Sequence, residues 1–388
     1  MVVFMLTSMV TLRAQEPEMK KTMDIYGFIM MDAGYNLGQT SADWYDVLRP
    51  TKLASYENEY GTDGNFFFSV RQTRLGFKNY FDTPLGQLYT QFEFEMFGTG
   101  ADAGQTTIRL RHAYGELGKF GAGQTWSPFM DIDVFPNTVE YWGPPGMAFY
   151  RNVQFRYMPI KGDDRLTIAL ERPGGSAESG KYEGDVRLEN VSARFPAPDL
   201  SAEYHKSFNF GYIELAGIAR MLEAKNVVTN ASKTITGWGL NLSTNIKLGE
   251  NTLLRGSALY GTAVANYMND ATVDVAIDSP GNKAEIAGVP VLGLVGFLEH
   301  NWSDKFASAI GYSMIDMDNL TGQNANSFSK GQYIVGNLQY FPAPNVMMVA
   351  EYQWGSRDNF EDGWNTSISK VQFSFKYNFS QSFYKAAE

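Results

Sequence analysis

Apolar and polar side chains alternate along most of this chain. In the segment 367–379, Phe373, Phe375 and Tyr377 fall on one face, and Gln372 and Ser374 fall on the other. A period of two predicts β-strands, because successive side chains of a strand point to opposite faces. Most of the alternating segments also reach the roughly 9–11 residues that a strand needs to cross a membrane.

The connections between these segments alternate in length. Turns such as Gly118-Lys119 and Ser303-Asp304 are short, whereas a connection such as 172–199 is long and polar. Short turns at one end and long loops at the other are typical of outer-membrane barrels. The pattern predicts an all-β fold, a transmembrane antiparallel β-barrel of about 16 strands over residues 23–379, and a barrel of that size encloses an aqueous channel. A pair of soluble β-sandwiches is the alternative, but its strands would be shorter and its turn lengths would not alternate.

One stretch, 123–157, departs from the alternation. Pro128, Pro136, Pro144 and Pro145 interrupt it, and proline cannot donate to a strand ladder. The same stretch carries large apolar side chains, so it is not a plain solvated loop. We therefore expect a long loop at about residues 127–149 that folds into the lumen and narrows the bore.

The composition supports a membrane barrel and excludes several other classes. Mean hydropathy is −0.27, and the chain has no internal run of apolar residues long enough for a helical membrane span. The net charge of −10 argues against nucleic-acid binding. The absence of cysteine excludes a disulfide framework and thiol chemistry.

The two ends of the chain are expected to lie outside the barrel. Residues 1–14 read as a signal peptide, with an apolar run from Val2 to Leu12 and a small-residue cleavage site at Ala14, although the usual positive n-region is absent. Residues 15–22 would form a short periplasmic leader, and residues 380–388 a C-terminal tail.

Charged residues collect on the inward phase of the strands that flank the long loop, on the loop itself and, with Arg151, at its exit. The predicted pore-lining and solute-binding residues are Gln72, Arg74, Glu93, Glu95, Arg109, Arg111, Asp131, Asp133, Glu140, Arg151 and Arg156. Rings of arginine in a pore favour anions. The alternative is that these arginines pair with the acids and brace the wall. His112 falls on the apolar phase, where we expect a subunit contact.

The sequence offers little for catalysis. Its three histidines, His112, His205 and His300, stand in no nucleophile or metal motif, so we predict no enzyme activity and no catalytic, cofactor-binding or metal site. Two alternatives to a diffusion channel stay open: a structural or adhesive barrel with a blocked bore, and an enzyme built into the barrel.

Several segments together resemble the DcaP-like trimeric porin family. They are QTRLGFKNYFDTPLGQL, FEFEMFG, IRLRHAYGEL and GQTWSPFMDIDVFPNTVEYWGPPG followed by RNVQFRY. The resemblance is close over residues 24–157 and rests on strand layout beyond. It implies a homotrimer in the outer-membrane lipid of a Gram-negative bacterium, and passive uptake of small solutes, with anions such as dicarboxylates favoured. Only about ten residues separate Gln15 from the first strand, too few for the coiled coil that many members carry.

Overall fold

The computed structural model describes residues 21–279 and 285–385. The predicted signal peptide and most of the predicted leader lie outside the described residues. The strands, in chain order, are β1 (Lys21–Asn36), β2 (Asn65–Ser69), β3 (Arg74–Thr83), β4 (Gly86–Phe97), β5 (Thr106–Leu117), β6 (Phe120–Trp126), β7 (Arg151–Ile160), β8 (Arg165–Glu171), β9 (Ala177–Glu178), β10 (Val191–Arg194), β11 (Asp199–Phe208), β12 (Gly211–Asn226), β13 (Ser232–Lys247), β14 (Thr252–Thr262), β15 (Val275–Asp278), β16 (Glu285–Gly288), β17 (Pro290–Ser303), β18 (Phe306–Met317), β19 (Phe328–Ala343), β20 (Val346–Asn359) and β21 (Asn365–Lys385).

Eighteen of these strands form one sheet that closes on itself. The first strand pairs antiparallel with the last, from Lys21 opposite Lys385 to Asn36 opposite Lys370. β2 and β3 both pair with β1, and β10 and β11 both pair with β12, so each of these couples is one interrupted wall strand. The wall therefore has sixteen strands, which confirms the predicted antiparallel barrel. The small strands β9, β15 and β16 form a separate sheet.

The helical elements are short 3-10 turns in the connections. They lie at Pro50–Lys52, Gly100–Asp102, Ile132–Val134, Gly180–Tyr182, Val186–Leu188 and Ala265–Tyr267. Within residues 21–279 and 285–385, no helix has the length and apolar character needed to cross a membrane.

The side chains of the wall follow the predicted alternation. On β21, Phe373 is 62% exposed on the outer face, whereas its neighbours Gln372 and Ser374 are buried inside. The same arrangement of apolar residues outside and polar residues inside recurs on the other wall strands, for example with Ile29 and Asp32 on β1. An apolar outer surface around a polar interior suits a barrel that stands in lipid.

Three local features differ from the expected strand layout. The predicted strand 66–81 is interrupted at residues 70–73, between β2 and β3. The segment after Phe379, expected as a tail, continues β21 as far as Lys385 because it pairs with the start of β1. In β5 a bulge places Arg111 as an extra residue between the pairs Glu93–His112 and Phe94–Leu110.

The bulge corrects the expectation for His112. An extra residue reverses the facing of the strand beyond it. The His112 ring is consequently buried inside the barrel, with Nδ1 3.0 Å from the Thr125 hydroxyl and Nε2 3.9 Å from Glu93. His112 therefore does not face a subunit contact.

The apolar core lies inside the barrel, where the connection from β6 to β7 meets the wall. Phe129 and Met130 of that connection pack with Ile218, Leu259 and Tyr267. A second cluster further along the same connection contains Val134 and Met147. The interior is thus partly filled by chain that folds inward.

Candidate functional site

The long loop (residues 127–150) lies inside the barrel, as the sequence predicts. It leaves the wall after Trp126 and first runs along β13, where Asn241 Nδ2 donates to the Phe129 carbonyl (3.2 Å) and Asn245 Nδ2 to the Asp133 carbonyl (2.7 Å). Proline keeps this segment from forming a strand ladder, so its backbone groups bond to side chains of the wall instead.

The long loop then crosses to the opposite wall. The backbone N–H groups of Val139 and Glu140 donate to the carboxylate of Glu351 on β20, each at 2.9 Å. Gln72 and Gln372 donate to the Val139 carbonyl at 2.8 and 3.2 Å. The loop is therefore held from both sides and divides the interior.

Two further loops contact the long loop inside the barrel. We call residues 37–64 the first loop and residues 263–279 the inner loop. Asp270 of the inner loop accepts hydrogen bonds from Arg49 Nε (2.8 Å) and from the backbone (3.0 Å) and hydroxyl (2.7 Å) of Thr51. The Arg49 guanidinium lies 4.2 Å from the ring centre of Trp44 and 3.7 Å from that of Trp142.

Asn269, beside Asp270, holds the returning limb of the long loop, by which we mean residues 142–150. The Asn269 amide donates to the carbonyls of Trp142 (2.6 Å) and Pro144 (3.0 Å), and the Asn269 carbonyl accepts from Trp142 Nε1 (2.8 Å). At Gly146 the backbone of the long loop lies close to the backbone of β18, because a Cβ on Gly146 would lie 2.0 Å from the Met314 carbonyl oxygen. The first, inner and long loops therefore contact one another in the mouth of the barrel.

Four arginines converge on one buried carboxylate, Glu95 of β4. Arg111 Nη1 lies 2.7 Å from Glu95, Arg74 Nη2 3.2 Å, Arg151 Nη2 3.8 Å and Arg109 Nη1 3.9 Å. The sequence places Arg74, Arg109 and Arg111 on the inward phase and Arg151 at the exit of the long loop. The fold brings the four together because β3, β4 and β5 are neighbours and β7 begins where the long loop ends.

A second carboxylate, Glu93, completes the cluster. It accepts from Arg111 Nε at 2.6 Å and from the Tyr26 hydroxyl at 2.7 Å, and it lies 3.7 Å from Arg74 Nε. Four guanidinium groups therefore surround two carboxylates, which leaves a local net charge of +2. We call these six charged residues the arginine cluster. Arg151 Nη1 is buried there without a hydrogen-bond partner among the described residues.

The arginine cluster lies between two cavities. One cavity of about 390 Å³ is lined by Arg109 and Arg151, and another of about 190 Å³ by Arg74. Tyr141 and Phe149 of the long loop line both cavities. These two rings therefore lie between the two cavities, with arginine on either side of them.

The remaining predicted residues have other hydrogen-bond partners than the carboxylates of the arginine cluster. Arg156 donates to the Trp126 carbonyl (2.5 Å) and to Gln154 Oε1 (3.0 Å), so it braces the wall beside the loop. The carboxylate of Glu140 accepts from the backbone N–H groups of Leu48 (3.0 Å) and Gly143, and burial raises the pKa of Glu140 to about 7.

The two aspartates of the long loop lie toward β12 and β13. Asp131 accepts from the hydroxyls of Tyr212 (2.6 Å) and Ser243 (2.7 Å), and burial raises the pKa of Asp131. Asp133 is half exposed, with Arg165 3.8 Å away. Asp131 and Asp133 thus have their partners on β12, β13 and Arg165.

Sequence reasoning missed two cations that line these cavities. Lys376 lines the smaller cavity, and it stands on the inward phase of β21 between Phe375 and Tyr377, so the alternation could have revealed it. Arg49 lines the larger cavity. It comes from the polar first loop, where no periodicity indicates which side chains turn inward.

A closed sixteen-stranded barrel with an apolar exterior, a polar interior and an inward loop defines the porin class of outer-membrane channels. Residues 12–379 match the family model described as DcaP outer membrane protein, and the chain belongs to that family. It is therefore a channel of the bacterial outer membrane and not an enzyme, as the sequence predicts. None of the curated protein sequences matches it.

Solved structures agree on the fold. The outer membrane channel DcaP of Acinetobacter baumannii has a TM-score of 0.77 at 22% identity, over 92% of this chain and 97% of that one. An anion-selective porin from Comamonas acidovorans has a TM-score of 0.60 at 10% identity, over 92% and 100%. A trimer form of OmpT from Vibrio cholerae has a TM-score of 0.55 at 12% identity, over 92% and 99%.

Proposed function

We propose that the chain is a passive diffusion channel for small hydrophilic solutes and that it prefers anions, with dicarboxylates as the model class. The observation that carries the proposal is the arginine cluster, in which four guanidinium groups face only two carboxylates. Fixed positive charge beside a narrow aqueous passage lowers the energy of an anion there and raises that of a cation.

The arrangement of the cavities supports small dianions in particular. The larger cavity offers Arg109 and Arg151 on one side of the Tyr141 and Phe149 rings, and the smaller cavity offers Arg74 on the other. Guanidinium groups bind carboxylates through paired, planar donors. A solute with a carboxylate at each end can therefore contact arginine on one side of these rings before it loses contact with arginine on the other side.

The functional unit that we propose is a homotrimer in outer-membrane lipid. The trimer form of the Vibrio cholerae porin OmpT, which shares this fold, supports that assembly. The broad apolar outer face, with exposed residues such as Ile29, Phe68 and Ile108, provides the area that both lipid and neighbouring barrels need.

The test is the reversal potential of the refolded protein in a planar bilayer with a potassium chloride gradient, followed by liposome swelling in sodium succinate and in a neutral sugar of similar size. We expect anion-selective channels and faster swelling in succinate. Cation-selective channels would contradict the preference, and folded trimers without conductance would favour the barrel with a blocked bore, which the three inward loops make a concrete alternative.

A further inference from the structure

The small sheet of β9, β15 and β16 lies in the mouth of the barrel, against the ends of β12 and β13 that the connection 227–231 joins. Val275 of β15 and Ile286 of β16 pack on a buried cluster that includes Leu222 of β12 and Ile235 of β13. Leu222 and Ile235 stand opposite each other on the inner face of the wall, whereas the neighbouring Met221 is 41% exposed on the outer face. An apolar layer therefore separates the small sheet from the wall.

This layer contains a cavity of about 210 Å³, which we call the apolar cavity. Its apolar lining comes from the loop after β8, from β10, from the wall and from the small sheet, and includes Leu188, Ala193, Phe195, Leu222, Ile235 and Ile286. Among the described residues, no lysine, arginine or histidine lines it. Of the carboxylates on the lining, Glu178 accepts from Gln323 Nε2 at 2.8 Å. The other, Glu223, accepts from Arg194 Nη1 at 2.8 Å. The apolar cavity therefore offers apolar surface to a ligand, and its charges already have partners.

The size and the lining of the apolar cavity decide what it can hold. A buried water needs roughly two to four polar partners, and an apolar cavity of about 150 Å³ lined by leucine, isoleucine and phenylalanine stays dry and binds benzene or xenon. The apolar cavity is larger than that and has a similar lining. Small-molecule sites in proteins are likewise concave and mainly apolar. An uncharged molecule with one or two aromatic rings therefore fits this cavity better than water or an ion.

A second cavity, of about 440 Å³, adjoins the apolar cavity, and we call it the entrance cavity. The residues that line both cavities are apolar: Leu188, Val191, Ala224, Ile277 and Ile286. The entrance cavity is also lined by two ion pairs, in which Arg187 Nη2 lies 2.6 Å from Asp185 and Lys233 Nζ lies 3.7 Å from Glu285. The side chains of Arg187 and Lys233 are more than half exposed, so this cavity opens to the solvent. Because the charges of the two pairs cancel, the entrance favours neither anions nor cations.

The inner loop separates the apolar cavity from the cavity of about 390 Å³ beside the arginine cluster. Residues of the segment 265–272 line the arginine side, and residues 275–277 line the apolar cavity. Of the described residues, Ser176 alone lines both, and its backbone N–H donates to Asp274 Oδ2 of the inner loop at 2.8 Å. A molecule in the apolar cavity therefore contacts the inner loop without entering the proposed anion pathway.

We propose that the apolar cavity binds a small uncharged hydrocarbon of one or two rings, which enters through the entrance cavity from the end of the barrel that carries the long loops, the extracellular end. The bound molecule fills the space between β15 and the wall and so holds the inner loop in place. Asp270 of the same loop accepts hydrogen bonds from Arg49 and Thr51 of the first loop, so an occupied cavity also steadies the contacts between the loops of the mouth. This binding site is additional to the proposed diffusion of anions and does not depend on the anion preference.

The chain contains no cysteine, so a single thiol can report on the apolar cavity. Ala193→Cys places the thiol on the lining, and Ala224→Cys replaces it if that variant does not fold. Ala325→Cys is the matched control, because Ala325 lies in the connection 318–327 of the same mouth and lines neither cavity. In phosphatidylcholine vesicles, the variants react with methyl methanethiosulfonate, a small uncharged thiol reagent, with and without saturating benzene. We expect benzene to slow the reaction of the cavity thiol several-fold and to leave position 325 unchanged. The same benzene effect at both positions, or none at either, would overturn the proposal.

Single-channel recordings test whether the bound molecule holds the inner loop. Ala193→Phe places a ring in the apolar cavity, and Ala224→Leu is the second filling variant if the first does not fold. We expect benzene to lower the open-channel noise of the wild type and to leave the filled variant, already quiet, unchanged. An equal response of both proteins would refute the effect on the loop, because benzene would then act through the lipid. Unchanged noise of the wild type while the thiol is protected would refute it too. Neither measurement depends on the anion preference, which reversal potentials test separately.

Discussion

The charge of the arginine cluster should decide the selectivity of the channel, and a double substitution tests this most directly. Arg109→Gln with Arg151→Gln removes two of the four guanidinium groups and leaves Arg74 and Arg111 facing Glu93 and Glu95. Within the described part of the chain, neither replaced arginine has an ion pair shorter than 3.8 Å. The barrel should therefore fold, while the local net charge falls from +2 to zero.

The size of the expected effect follows from Coulomb's law. At about 7 Å in a medium as polar as water, each fixed charge changes the energy of a monovalent ion by ~0.6 kcal/mol, so two charges contribute ~1.2 kcal/mol. The anion is stabilised and the cation destabilised by that amount, and the difference of ~2.4 kcal/mol corresponds to roughly fiftyfold in relative occupancy. Salt screens part of it, so the effect should be largest at low ionic strength.

The assay is the reversal potential across a bilayer with a tenfold potassium chloride gradient, with the wild type beside the double variant. The control is Lys181→Gln with Arg187→Gln, which removes the same formal charge from exposed positions in 172–198. We expect the control to keep the anion preference and the variant of the cluster to lose most of it. A folded, conducting variant with unchanged selectivity would refute the reasoning, because the preference would then arise elsewhere.

Three other substitutions test how the long loop is held. Asp270→Asn should raise the open-channel noise in single-channel recordings, because it weakens the contact of the inner loop with the first loop by about 1–3 kcal/mol. The control, Asp304→Asn in a periplasmic turn, should leave the noise unchanged. Gly146→Val should displace the returning limb and change the unit conductance, whereas Gly296→Val, where a Cβ meets nothing within 4 Å, should leave it unchanged. The buried Glu140 has a pKa of about 7 while the long loop is held in place, and it would titrate near 4.3 in a solvated loop. The held position of the loop is therefore favoured at low pH, and it becomes less favoured as the pH rises through 7. Noise should therefore increase between pH 5 and 8, and Glu140→Gln should abolish that increase; an unchanged pH profile would contradict it.

The sequence was sufficient for the barrel because its main physical requirement is periodic. Because lipid lies outside the wall and water inside, successive side chains of a strand must alternate between apolar and polar. The lengths of the turns then distinguish the two ends of the barrel. The inward phase placed Arg74, Arg109 and Arg111 correctly, and the prolines between residues 128 and 145 correctly predicted a loop inside the lumen.

The rest depends on contacts that leave no period in the sequence. One extra residue at Arg111 brings His112 inside, and alternation read across that point assigns the wrong face. The pairing of β1 with β21 extends the last strand past Phe379, which the aromatic pattern had marked as its end. The contact of Asp270 with Arg49 joins positions 221 residues apart in the chain.

The structure also removes the opposition between arginines that brace the wall and arginines that attract anions. Arg111 is braced, with two contacts of 2.6 and 2.7 Å to Glu93 and Glu95. Such pairing neutralises a site only when acids and arginines are equal in number. The loop carboxylate of Glu140, which could lower the local net charge of the arginine cluster to +1, accepts instead from the backbone N–H groups of Leu48 and Gly143. The arginine cluster therefore keeps a local net charge of +2 in a chain whose net charge is −10, and bracing and attraction become two consequences of one arrangement.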